Sequence, residues 1–291
     1  MTSVTYRGGM LIEPRRRRIG SDEIDRLLPF RARRTVGPFI YADLIGPTSL
    51  PSGVGVDVPV HPHIGLATVT YLFDGALVHR DSTGAVQRIE PGAVNWMTAG
   101  RGVAHSERSP DDERADVSTI AGLQTWVALP DDAETVDPSF VHVPEAEVPA
   151  WRAGPARCRL IAGTFGPHRS PVPVVSPIGY VDVVFDDAGS WTASLDVGER
   201  GVLVVSGPAS VDGVPVPERH LLVLDDRAPG LVETSGPARV VLLGGASVGE
   251  RIISWNFVAS DRDRIDEARD AWRRLDWPLV DGDDEIVPLP E

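Results

Sequence analysis

Two short segments carry side chains whose types and spacing could bind a metal ion. His61-Pro62-His63 and His105-Ser106-Glu107 each place two potential ligands two residues apart. In a β-strand, residues i and i+2 project from the same face. If both segments are strands and the strands come together, three imidazoles and one carboxylate converge on one point. Neutral imidazole nitrogen and carboxylate oxygen are metal donors near neutral pH, at about 2.0–2.2 Å from the ion. Such a set leaves two positions of an octahedron open for a small ligand such as dioxygen or a substrate oxygen. It lacks the thiolates that close most structural zinc sites, so its donors suit Fe, Mn, Ni, Co or Cu more than a dedicated zinc site.

The elements that must position these residues can be read around them. Ala67–Phe73 is rich in β-branched and aromatic residues and ends at Asp74-Gly75, a hairpin signal. Ala76–Arg80 reads as the return strand, turned at Asp81-Ser82-Thr83-Gly84. Val86–Ile89, Ala93–Met97 and Val103–Glu107 follow, separated by Glu90-Pro91-Gly92 and Ala99-Gly100-Arg101-Gly102, and Leu123–Leu129 closes the segment before Pro130. Short strands with turns about every 8–12 residues indicate an antiparallel sandwich or barrel. A folded or closed sheet is also what brings the two ligand pairs together. Upstream, Val36–Asp43 reads as a strand and residues 46–60 as a Pro- and Gly-rich loop. Ser21–Leu28 reads as a short helix capped by Ser21 and stopped by Pro29.

A chain of 291 residues fits two domains of about 100–150 residues each. Residues 130–156, rich in Asp, Glu and Pro, read as a linker leading into the second domain, which sets the expected division at 1–133 and 134–291. The second half repeats the texture of the first. Tyr180–Phe185, Trp191–Leu195, Gly201–Val205, His220–Leu224 and Ala238–Leu243 are strand-like and bounded by Gly, Pro or Asp. It has no paired ligands, because His142, His168 and His220 stand alone. The chain closes on an amphipathic helix with Ser260 as N-cap, an apolar stripe at Ile265, Ala268, Trp272 and Leu275, and Pro278 as the stop. This helix is expected to pack against the second barrel. The fold class read from these signals is all-β, two antiparallel β-barrels with a C-terminal α-helix.

Composition excludes some functions. A net charge of −14 disfavours direct nucleic-acid binding and favours solubility. All 28 basic residues are arginine, clustered locally at Arg15–Arg18 and at Arg31, Arg33 and Arg34, where they read as a solvated arm. No run of about 18 apolar residues exists to span a membrane, and Ile19-Gly20-Ser21-Asp22-Glu23 after the arginine quartet is not the apolar region of a secretory signal. With a single cysteine, Cys158, that cannot form an internal bridge, the expected location is the cytoplasm.

The segments Arg34–Asp43, His61–Asp74, His79–Gly84, Pro91–Glu107 and Gly122–Pro130 resemble the pirin family of the cupin superfamily. Trp255-Asn256-Phe257-Val258 and the last helix are more loosely similar to the family's C-terminal region. The resemblance implies a bicupin, two cupin-like barrels with metal only in the N-terminal one, and places the metal ligands on His61, His63, His105 and Glu107. The general cupin pattern has a glutamate shortly after His-x-His. Here Ile64-Gly65-Leu66-Ala67-Thr68 carries no acid, so the carboxylate falls to Glu107, as in pirins. Many pirins have Arg-Gly-Phe-Glu where this chain has Ile64-Gly65-Leu66-Ala67, which makes the inner site more apolar.

Several pirin-like proteins are similar to quercetin 2,3-dioxygenases. That implies an oxidoreductase that uses O2 on a small aromatic, flavonol-like substrate with one divalent transition metal: Fe(II) first, Mn, Ni, Co, Cu or Zn as alternatives. Glu107 would be the catalytic base that accepts the substrate's hydroxyl proton. Leu66, Phe73, Trp96 and Met97 would wall the site, and His79 would stand at its mouth. The alternative implied by the family is a non-enzymatic, metal-dependent regulator. It would act on a protein partner, as a transcription cofactor or on a metabolic enzyme, through an Fe redox switch.

Overall fold

The structure, a computed structural model, describes residues 3–6, 8–19, 22–196, 198–226 and 228–290. It opens with β1 (Ser3–Tyr6), β2 (Gly9–Ile12), β3 (Arg15–Ile19) and β4 (Asp22–Leu28). Then come β5 (Phe39–Leu50), β6 (Asp57–His63), β7 (Leu66–Asp74), β8 (Leu77–Asp81), β9 (Val86–Ile89), β10 (Val94–Thr98) and β11 (Val103–Arg108). The short helix α1 (Asp111–Ala115) leads to β12 (Ser118–Ala128) and β13 (Ser139–Val143), and α2 (Arg262–Arg273) lies near the C-terminus.

Two expectations upstream fail. Ser21 lies outside the described residues, and residues 22–28 are strand β4, not helix: Ile24, Leu27 and Leu28 are buried there as a β-sheet residue set. The strand expected from Val36 begins at Phe39 and runs on to Leu50, into the presumed loop. The turn at Asp74-Gly75 is as expected, with Gly75 at φ +78°, where a side chain would be strained.

The chain forms two compact units. One comprises residues 18–24, 45–145 and 248–291, the other residues 1–17, 25–44 and 146–247. This differs from a single division near residue 133, because the ends of the chain are exchanged. In the second unit, β2 pairs with the edge strand Leu221–Leu224, Leu11 opposite Leu222, and β1 pairs in turn with β2. An uncovered edge strand exposes a row of unpaired backbone groups, and the N-terminal strands supply the cover. Ile178–Phe185, Ala238–Gly245 and Glu199–Ser206 form the middle of that sheet, over a core that includes Leu160, Val181, Val183, Val202 and Leu242.

In the first unit, one sheet runs in the order β13-β10-β7-β12-β5, and the sheet facing it runs β6-β11-β8-β9. The architecture is the expected all-β bicupin, but its sheets form β-sandwiches and not closed barrels. The acidic stretch taken as a linker contributes β13, which pairs with β10, so His142 belongs to this unit. Leu50, Val56, Leu72, Leu77, Ile89 and Ile120 fill one end of the interior.

The last helix packs on the first unit, not on the second. Strand alternation that points His61 and His63 inward points Val60 and Ile64 outward. These residues, with Ala104, meet Ile265, Ala268 and Trp272 of α2 and Phe257. Leu275, the fourth member of the expected stripe, lies beyond the helix end and is exposed. Asp261, not Ser260, is the N-cap, its side chain accepting from the Asp263 amide. Ser260 instead donates its hydroxyl and its amide to the buried Glu134 carboxylate, which also pairs with Arg251 and Arg264.

Candidate metal centre

Pairing register sets the inner face of the β6-β11-β8 strands. His61 stands opposite His105 and His63 opposite Val103, with a register shift between His105 and Glu107. On the other side of β11, His105 stands opposite Asp81 and Glu107 opposite His79. Residues directly opposite on paired strands share a face, so His61, His63, His79, Asp81, His105 and Glu107 point the same way. All six are buried, with His61 at 9% and Glu107 at 8% exposure the most accessible.

The two ligand pairs seen in the sequence are therefore on adjacent strands. The candidate ligand atoms of His61, His63 and His105 lie within 4.8 Å of one another, as do those of His79, His105 and Glu107. His79, expected at a pocket mouth, is instead 3% exposed and inside the cluster.

The nitrogen assignments fit a metal. His61 Nδ1 lies 2.8 Å from the Pro59 carbonyl and His63 Nδ1 lies 3.1 Å from the Asn256 carbonyl. A carbonyl only accepts, so each Nδ1 carries the proton and each Nε2 presents a lone pair. Nε2 of His63 and of His105 is buried with no protein partner. A buried unpartnered nitrogen is costly, and coordination of an ion would satisfy it. Burial disfavours the imidazolium form and holds His61, His63 and His105 below the usual histidine range, the last two well below it. Neutral rings are the form that binds a cation.

The facing sheet completes the surroundings. Thr70 donates its hydroxyl to Glu107 Oε1 at 3.0 Å, and Gln124 Nε2 approaches the same carboxylate at 3.4 Å. Trp126 meets the His63 ring edge to face, and Phe140 stacks on His79 with ring centroids 4.4 Å apart. Thr70 pairs in register with Asn95 and with Gln124, and Met97 with Thr68. Alternation thus turns Leu66 and Met97 toward the inside, and turns Trp96 and Phe73, two of the expected wall residues, to the opposite face. Sequence reasoning missed Thr70, Asp81, Gln124, Trp126 and Phe140. The signal available was the alternation within each strand, but the pairing that aligns them is non-local.

A pair of cupin-like β-sandwiches, with a buried histidine and carboxylate cluster in one of them, defines the class as a bicupin with a candidate metal centre. The Pirin family profile matches residues 21–127 and that of the pirin C-terminal cupin domain residues 180–278. A pirin-like protein of Caulobacter vibrioides is 41% identical over 286 residues, covering 97% of this chain and 99% of its own. A Pseudomonas aeruginosa protein provisionally named quercetin 2,3-dioxygenase is 38% identical, over 88% of this chain and 81% of its own. The crystal structure of quercetin 2,3-dioxygenase from Acinetobacter baumannii superposes with a TM-score of 0.90 at 32% identity, covering 97% of this chain and 94% of that one. The chain belongs to the pirin family. No helix among the described residues is long and apolar enough to cross a membrane.

Proposed function

We propose that the protein is a metal-dependent dioxygenase of the quercetinase type, with His61, His63, His105 and Glu107 holding one divalent transition metal, Fe(II) first. The observation that carries this reading is the cluster of three buried neutral imidazoles, two of them (His63 and His105) with unpartnered Nε2 atoms, beside a carboxylate. The relationship to proteins named quercetin 2,3-dioxygenase supports the substrate class, a flat hydroxylated aromatic, with O2 as co-substrate.

When bound, the metal supplies Lewis acidity, lowering the pKa of a substrate hydroxyl. The remaining work falls to the chain. Thr70 and Gln124 hold the Glu107 carboxylate in place, and one of its oxygens takes the hydroxyl proton. Leu66, Met97, Trp126 and Phe140 keep the surroundings apolar and exclude water. Substrate approaches from the side where His61 and Glu107 retain their small exposure.

The same enclosure also favours a second reading, in which the ion acts without a substrate as a redox switch read by a protein partner. Oxygen uptake with quercetin separates the two. Protein loaded with Fe(II), Mn(II), Ni(II), Co(II) or Cu(II) should consume O2 faster than the free metal, and His61→Ala and Glu107→Ala should abolish the difference. Stoichiometric metal binding without turnover on quercetin in any metal form would exclude the quercetinase reading and leave the switch.

A further inference from the structure

His61 and His63 have their Nδ1–H groups anchored on main-chain carbonyls. His105 does not. Its Nδ1 faces Nδ1 of His79 at 3.4 Å, and His79 Nε2 lies 2.8 Å from Asp81 Oδ2. The other Asp81 oxygen is committed to the turn that follows, accepting from the Thr83 amide at 2.8 Å, the Thr83 hydroxyl at 2.6 Å and the Ala85 amide at 3.2 Å. All three side chains of this line are buried: Asp81 at 2%, His79 at 3% and His105 at 0% exposure.

We infer that Asp81 and His79 form an orienting relay that sets the tautomer of His105 and so its capacity to bind the metal proposed above. The inference rests on that metal reading. The roles follow from donor and acceptor chemistry. The Asp81 carboxylate can only accept, so His79 Nε2 carries the proton and His79 Nδ1 presents its lone pair. That lone pair accepts from His105 Nδ1–H, which leaves His105 Nε2 as the bare nitrogen, the atom found buried without a partner. The stacked Phe140 ring fixes the plane of His79, and strand pairing fixes the spacing: Asp81 stands opposite His105 and His79 opposite Glu107. Asp81 and His79 are positioning residues, since they act on the ion only through His105.

Asp81→Asn is the sharp probe. The three turn contacts demand an acceptor, so the new amide oxygen stays with Thr83 and Ala85 and the NH2 group faces His79. His79 must then accept at Nε2 and donate at Nδ1, straight at the Nδ1–H of His105. The structure is kept while the tautomer is reversed, the effect known when an orienting Asp is replaced by Asn in a catalytic triad.

The test is Co(II) titration of the full chain, followed by the visible spectrum of the bound ion, for the wild type, Asp81→Asn, His79→Phe and the double variant, with thermal melting of each metal-free protein. Loss of an outer partner of a metal-ligating histidine weakens binding about 10- to 100-fold. The relay predicts that loss for each single variant, and a double variant no worse than His79→Phe alone. Asp81→Asn should melt with the wild type when metal-free and should shift the Co(II) absorption bands. Binding by Asp81→Asn and His79→Phe within about threefold of the wild type would overturn the relay while leaving the metal site intact, and so would losses that multiply in the double variant. Two Co(II) ions per chain, the second lost in His79→Phe, would overturn it by making His79 a ligand. A wild type that binds no Co(II) would instead remove the metal reading itself.

Discussion

Replacing Trp272 by alanine tests whether the C-terminal helix supports the strands that carry the histidines. Trp272 is 3% exposed and packs with Val60, Ile64, Ala104 and Phe257 on the outer face of β6 and β11. Its indole N–H donates to the Val287 carbonyl at 3.0 Å, and its ring lies 5.8 Å from that of Trp277. Truncating a buried tryptophan to alanine costs about 3–5 kcal/mol, and the stranded carbonyl adds about 1 kcal/mol. At about 2–4 °C per kcal/mol for a unit of this size, the calorimetric midpoint of the first unit should fall by roughly 8–24 °C. Amide hydrogen exchange locates the effect: residues 57–63 and 103–108 should lose protection first, and Co(II) binding should weaken with them. A midpoint shift under about 2 °C would refute the packing argument. So would protection lost at 199–206 and 238–245 with 57–63 unchanged, because the helix would then belong to the other unit.

Three further outcomes follow from named residues. Burial keeps His63 and His105 well below, and His61 below, the ordinary histidine range, so below about pH 6.5 the unfolded chain binds protons that the folded chain refuses. Metal-free protein should thus be fully stable above that pH and lose stability as pH falls through it, by up to about 1.4 kcal/mol per pH unit for each histidine. Urea unfolding at about pH 7.5 and about pH 5.5 checks this, and equal midpoints would contradict it. Cys158 is 1% exposed and burial pushes its thiol up to about 12, so iodoacetamide near pH 8 should label it only in denaturant. Gly65 has φ +67° and a methyl group there would overlap the Val258 carbonyl, so Gly65→Ala should cost at least about 2 kcal/mol, measured by urea unfolding.

Much of the site was legible because strand periodicity is local. The i, i+2 spacing of His61 and His63, and of His105 and Glu107, places each pair on one face without reference to the rest of the chain. The Asp74-Gly75 hairpin was equally local. Which strands pair is not local, and the misreadings gather there. His79 joins the cluster only because β8 lies against β11, with His79 opposite Glu107. Trp96 and Phe73 are apolar residues flanking the ligand strands, yet β7 and β10 bury residues on both faces, so alternation alone cannot say which face is inner. Ser260 is a good cap by type, but the buried Glu134 draws its hydroxyl away and Asp261 takes the role. The exchanged ends had no local signal: β2 answers an open strand edge more than 200 residues downstream, and α2 answers the apolar backs of β6 and β11.

Anomalous diffraction from crystals of the protein loaded with Fe(II) or Co(II) tests the central claim most directly. A single peak per chain is expected, about 2.0–2.2 Å from Nε2 of His61, His63 and His105 and from a Glu107 carboxylate oxygen, with His79 not bonded to it. No peak among these residues after loading, or a peak ligated by His79, His105 and Glu107 without His61 and His63, would contradict it.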